Sequence, residues 1–338
     1  MANYTVYKLH FTSPVHFGDN RSDYGVSLKT VQSDTIYAAV TSCLSKIGVQ
    51  IPDNGDLGCS VSSAFPFYQE NRNSSPVYFF PKPLRYSLPN LKDISDAKKV
   101  KKVRWLDFDY LRRVINGEQL FVDGQDITSI KHGGFLTAGA IAEDFISSQV
   151  SPRVTMPSRL GDEDARPFYM DRVFFKGYSG LFFLAEGDCS LLDRGLKLLQ
   201  YEGIGTDRNV GNGYFECQKD SITIECPESS EYSISLSIFI PENKEKLALM
   251  LGKEAVAYDF ARRGGWITES PYNSIRKNAV YAFLPASVFA LGKSPCVEGR
   301  IVNLQPESLG EIIRTENLGE SPHPIWRCGK SIFIPIKI

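Results

Sequence analysis

From residue 203 to residue 215 the chain runs Gly-Ile-Gly-Thr-Asp-Arg-Asn-Val-Gly-Asn-Gly-Tyr-Phe, and no other stretch so constrains its surroundings. Gly203, Gly205, Gly211 and Gly213 allow positive φ and let another chain, such as a phosphate backbone, approach without side-chain interference. Upstream, Leu191, Leu192, Gly195, Leu196, Leu198 and Leu199 recur at helical spacing, and downstream Tyr214 to Cys217 starts a strand. The loop therefore joins a helix to a strand. A dinucleotide fingerprint has the opposite order and would need glycine at 208, where Arg208 stands. No Gly-Lys-Ser/Thr closes the run, so it is not a P-loop either. Two readings remain, a main-chain surface for phosphates and a plain surface turn.

The 338 residues suit two domains. A net charge of -1 gives no global attraction for nucleic acid, so any such case rests on local patches. The seven cysteines are odd in number, scattered and without a Cys-x-x-Cys pair. They argue against a disulfide framework or zinc site and for a reducing compartment. The start, Met1-Ala2-Asn3-Tyr4, lacks a basic segment followed by an apolar one, and no apolar run approaches membrane-spanning length. The expected location is the cytoplasm, with no membrane partner, no metal and no cofactor.

Taken in order, residues 4–11 predict a strand and residues 13–18 a turn. Ser33 or Asp34 can cap a helix that places Ile36, Val40, Cys43, Leu44 and Ile47 on one face before Gly48 ends it. This is the first half of a ferredoxin-like unit. Residues 61–68 and 77–80 predict a hairpin around 71–75, or two short strands under a loop. Residues 84–170 depart from the pattern and read as an insertion: a basic tract, a helix carrying Leu106, Tyr110, Leu111 and Val114, then polar loop-like sequence. Strand character returns at 168–176 and 181–185, leading to the helix and glycine loop. A second unit starts at 233–240, with a helix through Leu247, Leu249, Met250 and Leu251, strands at 256–260, 279–284 and 299–304, a short helix at 308–313 and a closing strand at 331–338. The expectation is an α/β (α+β) protein of two tandem ferredoxin-like, RRM-like domains. Residues 1–226 form the first, with a basic insertion at about 84–170 and the glycine loop at 203–213; residues 232–338 form the second.

Three further stretches combine cations with aromatic or stiff neighbours. Lys98, Lys99, Lys101, Lys102 and Arg104 place five charges in seven residues, either an arm along RNA phosphates or a solvated face. Arg153 and Arg159 lie in a proline-containing segment, and their planar forks suit phosphate; salt bridges to Asp162, Glu163 and Asp164 compete. Arg262-Arg263-Gly264-Gly265-Trp266 offers phosphate clamping and base stacking, or a strand end with a core tryptophan.

A Gly-x-Gly run, a basic residue, then Gly-x-Gly followed by an aromatic residue resembles the signature loop of the RAMP superfamily of CRISPR RNA-binding proteins. Residues 13–18 (Ser-Pro-Val-His-Phe-Gly), 33–39 (Ser-Asp-Thr-Ile-Tyr-Ala-Ala) and 260–266 extend the likeness, in order, over nearly the whole chain. Within the superfamily it resembles the fourth-subunit family of Csm-type (type III-A) effectors, whose members hold the 5′ end of the guide RNA. That implies a non-catalytic subunit that binds the crRNA 5′ handle, meets the large polymerase-like subunit and the backbone RAMP subunit, and touches target RNA only indirectly. It assigns RNA contacts to His16 and Gly18, to Lys98, Lys99, Lys101 and Lys102 on a thumb-like projection, and to Arg153 and Arg159. Gly203, Gly205, Arg208, Gly211 and Gly213 would serve the handle, as would Arg262, Arg263, Gly264 and Trp266. Asp34, in the Ser-Asp of the family pattern, is read as a helix cap. Two other hypotheses stay open. In related RAMP nucleases a histidine serves metal-free RNA cleavage, which makes His16 the candidate general base of a repeat-processing endoribonuclease. Alternatively, the glycine loop packs on protein and the chain is an adaptor.

Overall fold

A strand apolar on both faces must be covered on both faces, and residues 181–185 form such a strand. Leu181, Phe182, Phe183, Leu184 and Ala185 alternate sides and are all buried. The computed structural model describes residues 1–18, 24–87, 94–155, 166–268, 271–292, 294–315 and 324–338, of which Ile94, Thr155 and Arg166 are described by backbone alone.

The first half contains β1 (Ala2–Phe11), α1 (Ser33–Lys46), β2 (Cys59–Val61), β3 (Phe65–Tyr68) and β4 (Val77–Pro81). Then come α2 (Ile94–Lys102), β5 (Trp105–Asp107), α3 (Phe108–Ile115), β6 (Ile130–Lys131) and β7 (Phe135–Leu136). A ribbon of β8 (Ile146–Thr155) and β9 (Arg166–Phe175) precedes β10 (Gly180–Gly187), α4 (Ser190–Glu202) and β11 (Phe215–Ile224). The main sheet runs β11-β1-β10-β3-β4-β5-β7-β6, with β2 also on β10. Its first four strands are antiparallel to their neighbours. Thus β1–α1–β3 and β10–α4–β11 are two interleaved strand-helix-strand units in one sheet.

The second half holds β12 (Tyr232–Ser235), α5 (Lys244–Leu251), β13 (Phe260–Arg263), β14 (Val280–Phe283), β15 (Val288–Phe289), β16 (Cys296–Glu298), β17 (Ile301–Asn303), α6 (Leu309–Thr315), β18 (Trp326–Cys328) and β19 (Ser331–Ile336). Four of these form a sheet ordered β15-β12-β19-β16. Single bridges, Ala257 to Val288 and Phe239 to Phe283, tie the β13–β14 ribbon to it. Among the described residues, no helix is long and apolar enough to cross a membrane.

Alternation along β1 and β10 sends their side chains into two separate cores. Tyr4, Val6, Phe182 and Leu184 meet Ile234, Leu236, Ile332, Ile334 and Ile336 of the second half. Tyr7, Leu9, Phe11, Leu181 and Phe183 meet Ile36, Val40 and Leu44 of α1 and Leu192, Leu196 and Leu199 of α4. The two halves thus share one hydrophobic layer, and burial of each large side chain in it contributes about 1.5–3 kcal/mol.

Three local expectations change. The helix expected to carry Leu106 together with Val114 is interrupted, because residues 103–107 join the sheet: the Arg104 N–H donates to Gly134 O at 2.9 Å and the Lys82 N–H to Arg104 O at 2.8 Å. Asp107 then caps α3, its Oδ1 accepting from the Tyr110 N–H at 2.9 Å. The stretch through Arg153 is strand rather than loop; Pro152 is tolerated because, among the described residues, β8 pairs only with β9 and so remains an edge. The strand expected at 256–260 lies later, at Phe260–Arg263 with Arg263 opposite Val280, and residues 256–259 contribute only the single bridge from Ala257 to Val288.

Phe182 is fully buried, its ring 4.7 Å from Tyr78 and 5.2 Å from Phe80. Phe182→Ala is expected to cost about 3–5 kcal/mol, read as a lower urea midpoint, since it opens a cavity in the shared layer. A midpoint equal to the parent's would contradict this account of the core.

Candidate nucleic-acid interface

The glycine loop leaves α4 and is clamped onto the turn after β1. The Gly213 N–H donates to Pro14 O at 2.8 Å, the Thr206 N–H to His16 O at 2.9 Å, and the Tyr214 N–H to Ser13 Oγ at 2.9 Å. All four glycines take positive φ, from +76° to +105°. Three are needed for contacts within the protein. A Cβ at Gly205 would sit 2.5 Å from His16 O, one at Gly203 2.9 Å from Asn212 O, and one at Gly213 would collide with Ile204 O. Only Gly211 faces open space. Much of the glycine signal therefore reports loop-on-loop packing, and the main chain available to a ligand narrows to the turn around Gly211 and Arg208. The Arg208 carbonyl accepts from the Tyr214 hydroxyl at 3.3 Å. Its guanidinium has no hydrogen-bond or ion-pair partner among the described residues.

His16 lies under this loop at 1% exposure, its Nδ1 2.7 Å from the Asp171 carbonyl oxygen. Gly18 is exposed. The same turn anchors the ribbon: Val15 and Val173 exchange backbone hydrogen bonds at 2.8 and 2.9 Å, and the Asp171 N–H donates to Tyr24 O at 2.8 Å. Glycine loop, turn and ribbon are thus one connected unit. Arg153, on β8 opposite Phe168, is half-buried and has no hydrogen-bond or ion-pair partner among the described residues. Val150, Val154 and Tyr169 beside it are exposed. Arg159, with Asp162, Glu163 and Asp164, lies outside the described residues.

A second cluster forms where α1 meets the second half. The N-cap of α1 is Gln32 rather than Ser33 or Asp34, and no side chain caps it. Ser33 Oγ instead accepts from the Ile238 N–H at 2.9 Å. The fully buried Asp34 carboxylate takes the Arg263 guanidinium in a paired fashion, at 2.9 and 3.0 Å, and Arg327 as well. Burial alone would raise the Asp34 pKa, but Arg327 and Arg263 outweigh it and hold the carboxyl below its usual range. Arg263 is therefore committed to Asp34, whereas its neighbour Arg262 is exposed and without a hydrogen-bond or ion-pair partner among the described residues. Gly264 O accepts from Arg327 Nη2 at 3.2 Å, and the half-buried Trp266 ring carries the Arg276 guanidinium 5.4 Å from its centroid. Sequence reasoning missed Arg327 and Lys277, which joins this cluster. One signal was present: a lone arginine in the strand pattern Trp326-Arg327-Cys328 needs a buried partner.

Lys98, Lys99, Lys101 and Lys102 are exposed on α2, flanking buried Val100. Lys99 pairs with Asp96 at 3.2 Å. Val100 and Val103 pack in the shared core, so the tract is a docked amphipathic helix and not a free arm. It lies beside β4 and β5, four and five strands away from β11 in the sheet order, so the structure does not bring it next to the glycine loop.

The fold is a mixed α/β one, and comparison with known proteins shows what it is similar to. Residues 228–336 match the CRISPR Csm4 C-terminal domain. The CRISPR system Cms protein Csm4 of Streptococcus thermophilus is 22% identical over 344 residues, covering 99% of each chain. A chain of the Csm1-Csm4 cassette in complex with cA4 is similar at a TM-score of 0.57 with 18% identity, covering 100% of this chain and 99% of that one. A chain of the Csm3-Csm4 subcomplex of the type III-A CRISPR-Cas interference complex reaches 0.54 with 16% identity, covering 100% of both. The second half of the chain thus matches the Csm4 C-terminal domain, and over its whole length the chain is similar to a Csm4 protein.

Two predictions follow from this geometry. Gly211→Ala should cost about 1–2 kcal/mol through its positive φ alone, while Gly213→Ala must also displace Ile204 O and should cost more; equal losses in urea denaturation would refute the packing role. Asp34→Asn should cost about 3–5 kcal/mol at pH 7, because two buried guanidiniums lose their carboxylate. The Asp34 contribution is complete above the unfolded pKa of about 4 and is lost as pH falls through the lower folded value. The gap between parent and variant should accordingly close in acid, as measured by denaturation at pH 7 and near pH 3.

Proposed function

We propose that this protein is a non-catalytic RNA-binding subunit of a type III-A CRISPR interference complex, holding the 5′ handle of the crRNA. In this reading it links the large polymerase-like subunit to the backbone RAMP subunit, and meets target RNA only through the assembly. The carrying observation is a division among its cations. Arg208 and Arg153 sit on one connected unit of glycine loop, turn and ribbon, and neither guanidinium is spent on a hydrogen bond or ion pair with another described residue. Guanidiniums left in that state suit phosphate, and the open turn at Gly211 leaves room for a strand beside them. Relatives solved as Csm1-Csm4 and Csm3-Csm4 assemblies support two protein-facing surfaces.

The strand orders support two βαββαβ units, residues 1–226 with the insertion at about 84–170 and residues 232–338, the second carrying β16 as an added edge. Arg262, Gly264 and Trp266 of the second unit, and the α2 lysines of the first, would extend the RNA path. His16 weighs against a repeat-processing nuclease, since a ring at 1% exposure bonded to Asp171 O is poorly placed to meet a 2′-hydroxyl.

Titrating a labelled handle RNA and a scrambled strand of equal length against the purified protein, alone and with its large and backbone partners, tests this. The handle should bind more tightly. Arg208→Ala and Arg153→Ala should each weaken it about 3–10-fold and reduce the slope of log affinity against log salt by about 0.7. Equal binding of both strands in every assembly would overturn the reading, as would RNA cleavage in chelator that His16→Ala abolishes.

A further inference from the structure

Helix α4 has an outer face that the fold leaves uncovered. Its inner face is occupied: Leu192, Leu196 and Leu199 are buried against the sheet and α1. Arg194, Lys197, Leu198 and Tyr201 follow one another at i, i+3, i+4 and i+7, so they form a second stripe about 10 Å long. Helix α1 frames its far end. Gly195 touches Val40, where a Cβ would come within 2.7 Å of Val40 Cγ1, and Lys46 pairs with Glu202 at 2.5 Å. The two helices therefore run side by side in the same direction, and Ile47, which closes α1, stands beside the end of α4.

Ile47, Arg194, Lys197, Leu198 and Tyr201 line one shallow groove there. Its surface is almost wholly apolar, so the two cations give it their stems and hold their charged heads at the rim. Tyr201 is 80% exposed and Ile47 47%, large side chains that the core does not use. Charge on the rim is one-sided. The neighbouring carboxylates are already engaged, Glu202 by Lys46 and Asp193 by Lys219 and the Tyr7 hydroxyl. Arg194 and Lys197 have no hydrogen-bond or ion-pair partner among the described residues.

We propose that this groove is a docking site for an acidic amphipathic helix of a neighbouring subunit. Assignment to a subunit of the assembly rests on the function proposed above; the docking site itself does not. An apolar valley about two turns long, with an exposed tyrosine at one end, suits the apolar stripe of a helix. Two cations one turn apart match carboxylates spaced three or four residues apart on the incoming helix. Aliphatic Ile47 and Leu198 offer nothing to a phosphate, which favours protein over RNA as the occupant. A neighbour seated here would bear on the helix that leads directly into the glycine loop at Gly203.

The test uses the full chain, the double variant Arg194→Glu/Lys197→Glu and Tyr201→Ala, all exposed positions whose melting midpoints should stay at the parent's. In the first arm, a labelled helical peptide with a leucine stripe flanked by glutamates is titrated beside a scrambled peptide of the same composition. The parent should bind the striped peptide and not the scrambled one. The double variant should bind it about 10-fold more weakly, and should recover when the peptide's glutamates are changed to lysines. Tyr201→Ala should weaken it about 5–30-fold at any salt concentration. In the second arm, the purified large and backbone subunits are titrated separately against parent and variants, and one of them should lose affinity for both variants. A parent that does not bind the striped peptide, or binds it as well in the double variant, overturns the docking site. Displacement of that peptide by single-stranded RNA overturns the protein occupant, and self-association of the parent that both variants abolish assigns the groove to a second copy instead. Peptide binding that depends on these residues, beside unchanged binding of both subunits, overturns the assignment to a neighbouring subunit. Should neither subunit bind the parent at all, the proposed function fails while the docking site stands on the peptide result.

Discussion

One buried carboxylate governs how the halves of this molecule meet. Asp34 opens α1 at zero exposure and draws in guanidiniums from two separated strands of the second half. Such a group is costly to bury alone and tolerable only when paired and hydrogen-bonded. The apolar layer between the sheets supplies most of the cohesion but is poor at specifying register, since isoleucines and leucines slide past one another at little cost. The Asp34 pairing, with Ser33 Oγ receiving the Ile238 N–H and Ser237 Oγ donating to Val61 O, has direction and selects one arrangement. Adjacent residues of one short motif thus tie both covalent halves together.

That tie divides the basic residues into two kinds. Arg263 and Arg327 are held by Asp34 and set geometry; Arg153, Arg208 and Arg262 have no hydrogen-bond or ion-pair partner among the described residues. With a net charge of -1, the protein exerts little long-range pull on a polyanion, and recognition has to depend on where the uncommitted charges stand. Local placement favours a partner delivered by an assembly over one captured by diffusion.

Features that repeat at short range were legible in the sequence. The helix face of Ile36, Val40 and Leu44, the 65–81 hairpin and the helix-to-strand glycine loop all emerge from local spacing. What escaped was long-range. Nothing near Asp34 announces Arg327, 293 residues away, so the aspartate read as an ordinary cap. Gly203, Gly205 and Gly213 look identical to Gly211 in a string of letters, yet protein carbonyls crowd the first three and open space meets the last. The lysine tract suggested an arm because its charges outnumber Val100 and Val103, the two small side chains that fasten it to the core. Of the candidate interface, residue types were visible and their allocation between internal and external duty was not.

The ribbon has a mechanical consequence. Strand β9 is stitched to the turn after β1 at Val173 and Asp171, and beyond Met170 it pairs, among the described residues, only with β8. About 15 Å of two-stranded sheet therefore cantilevers from a fulcrum whose opposite side bears the glycine loop. A tilt of about 10° there would sweep the outer residues by nearly 3 Å while strands β1 and β10 stayed in place, coupling whatever grips the outer strands to the backbone around Arg208 by simple leverage.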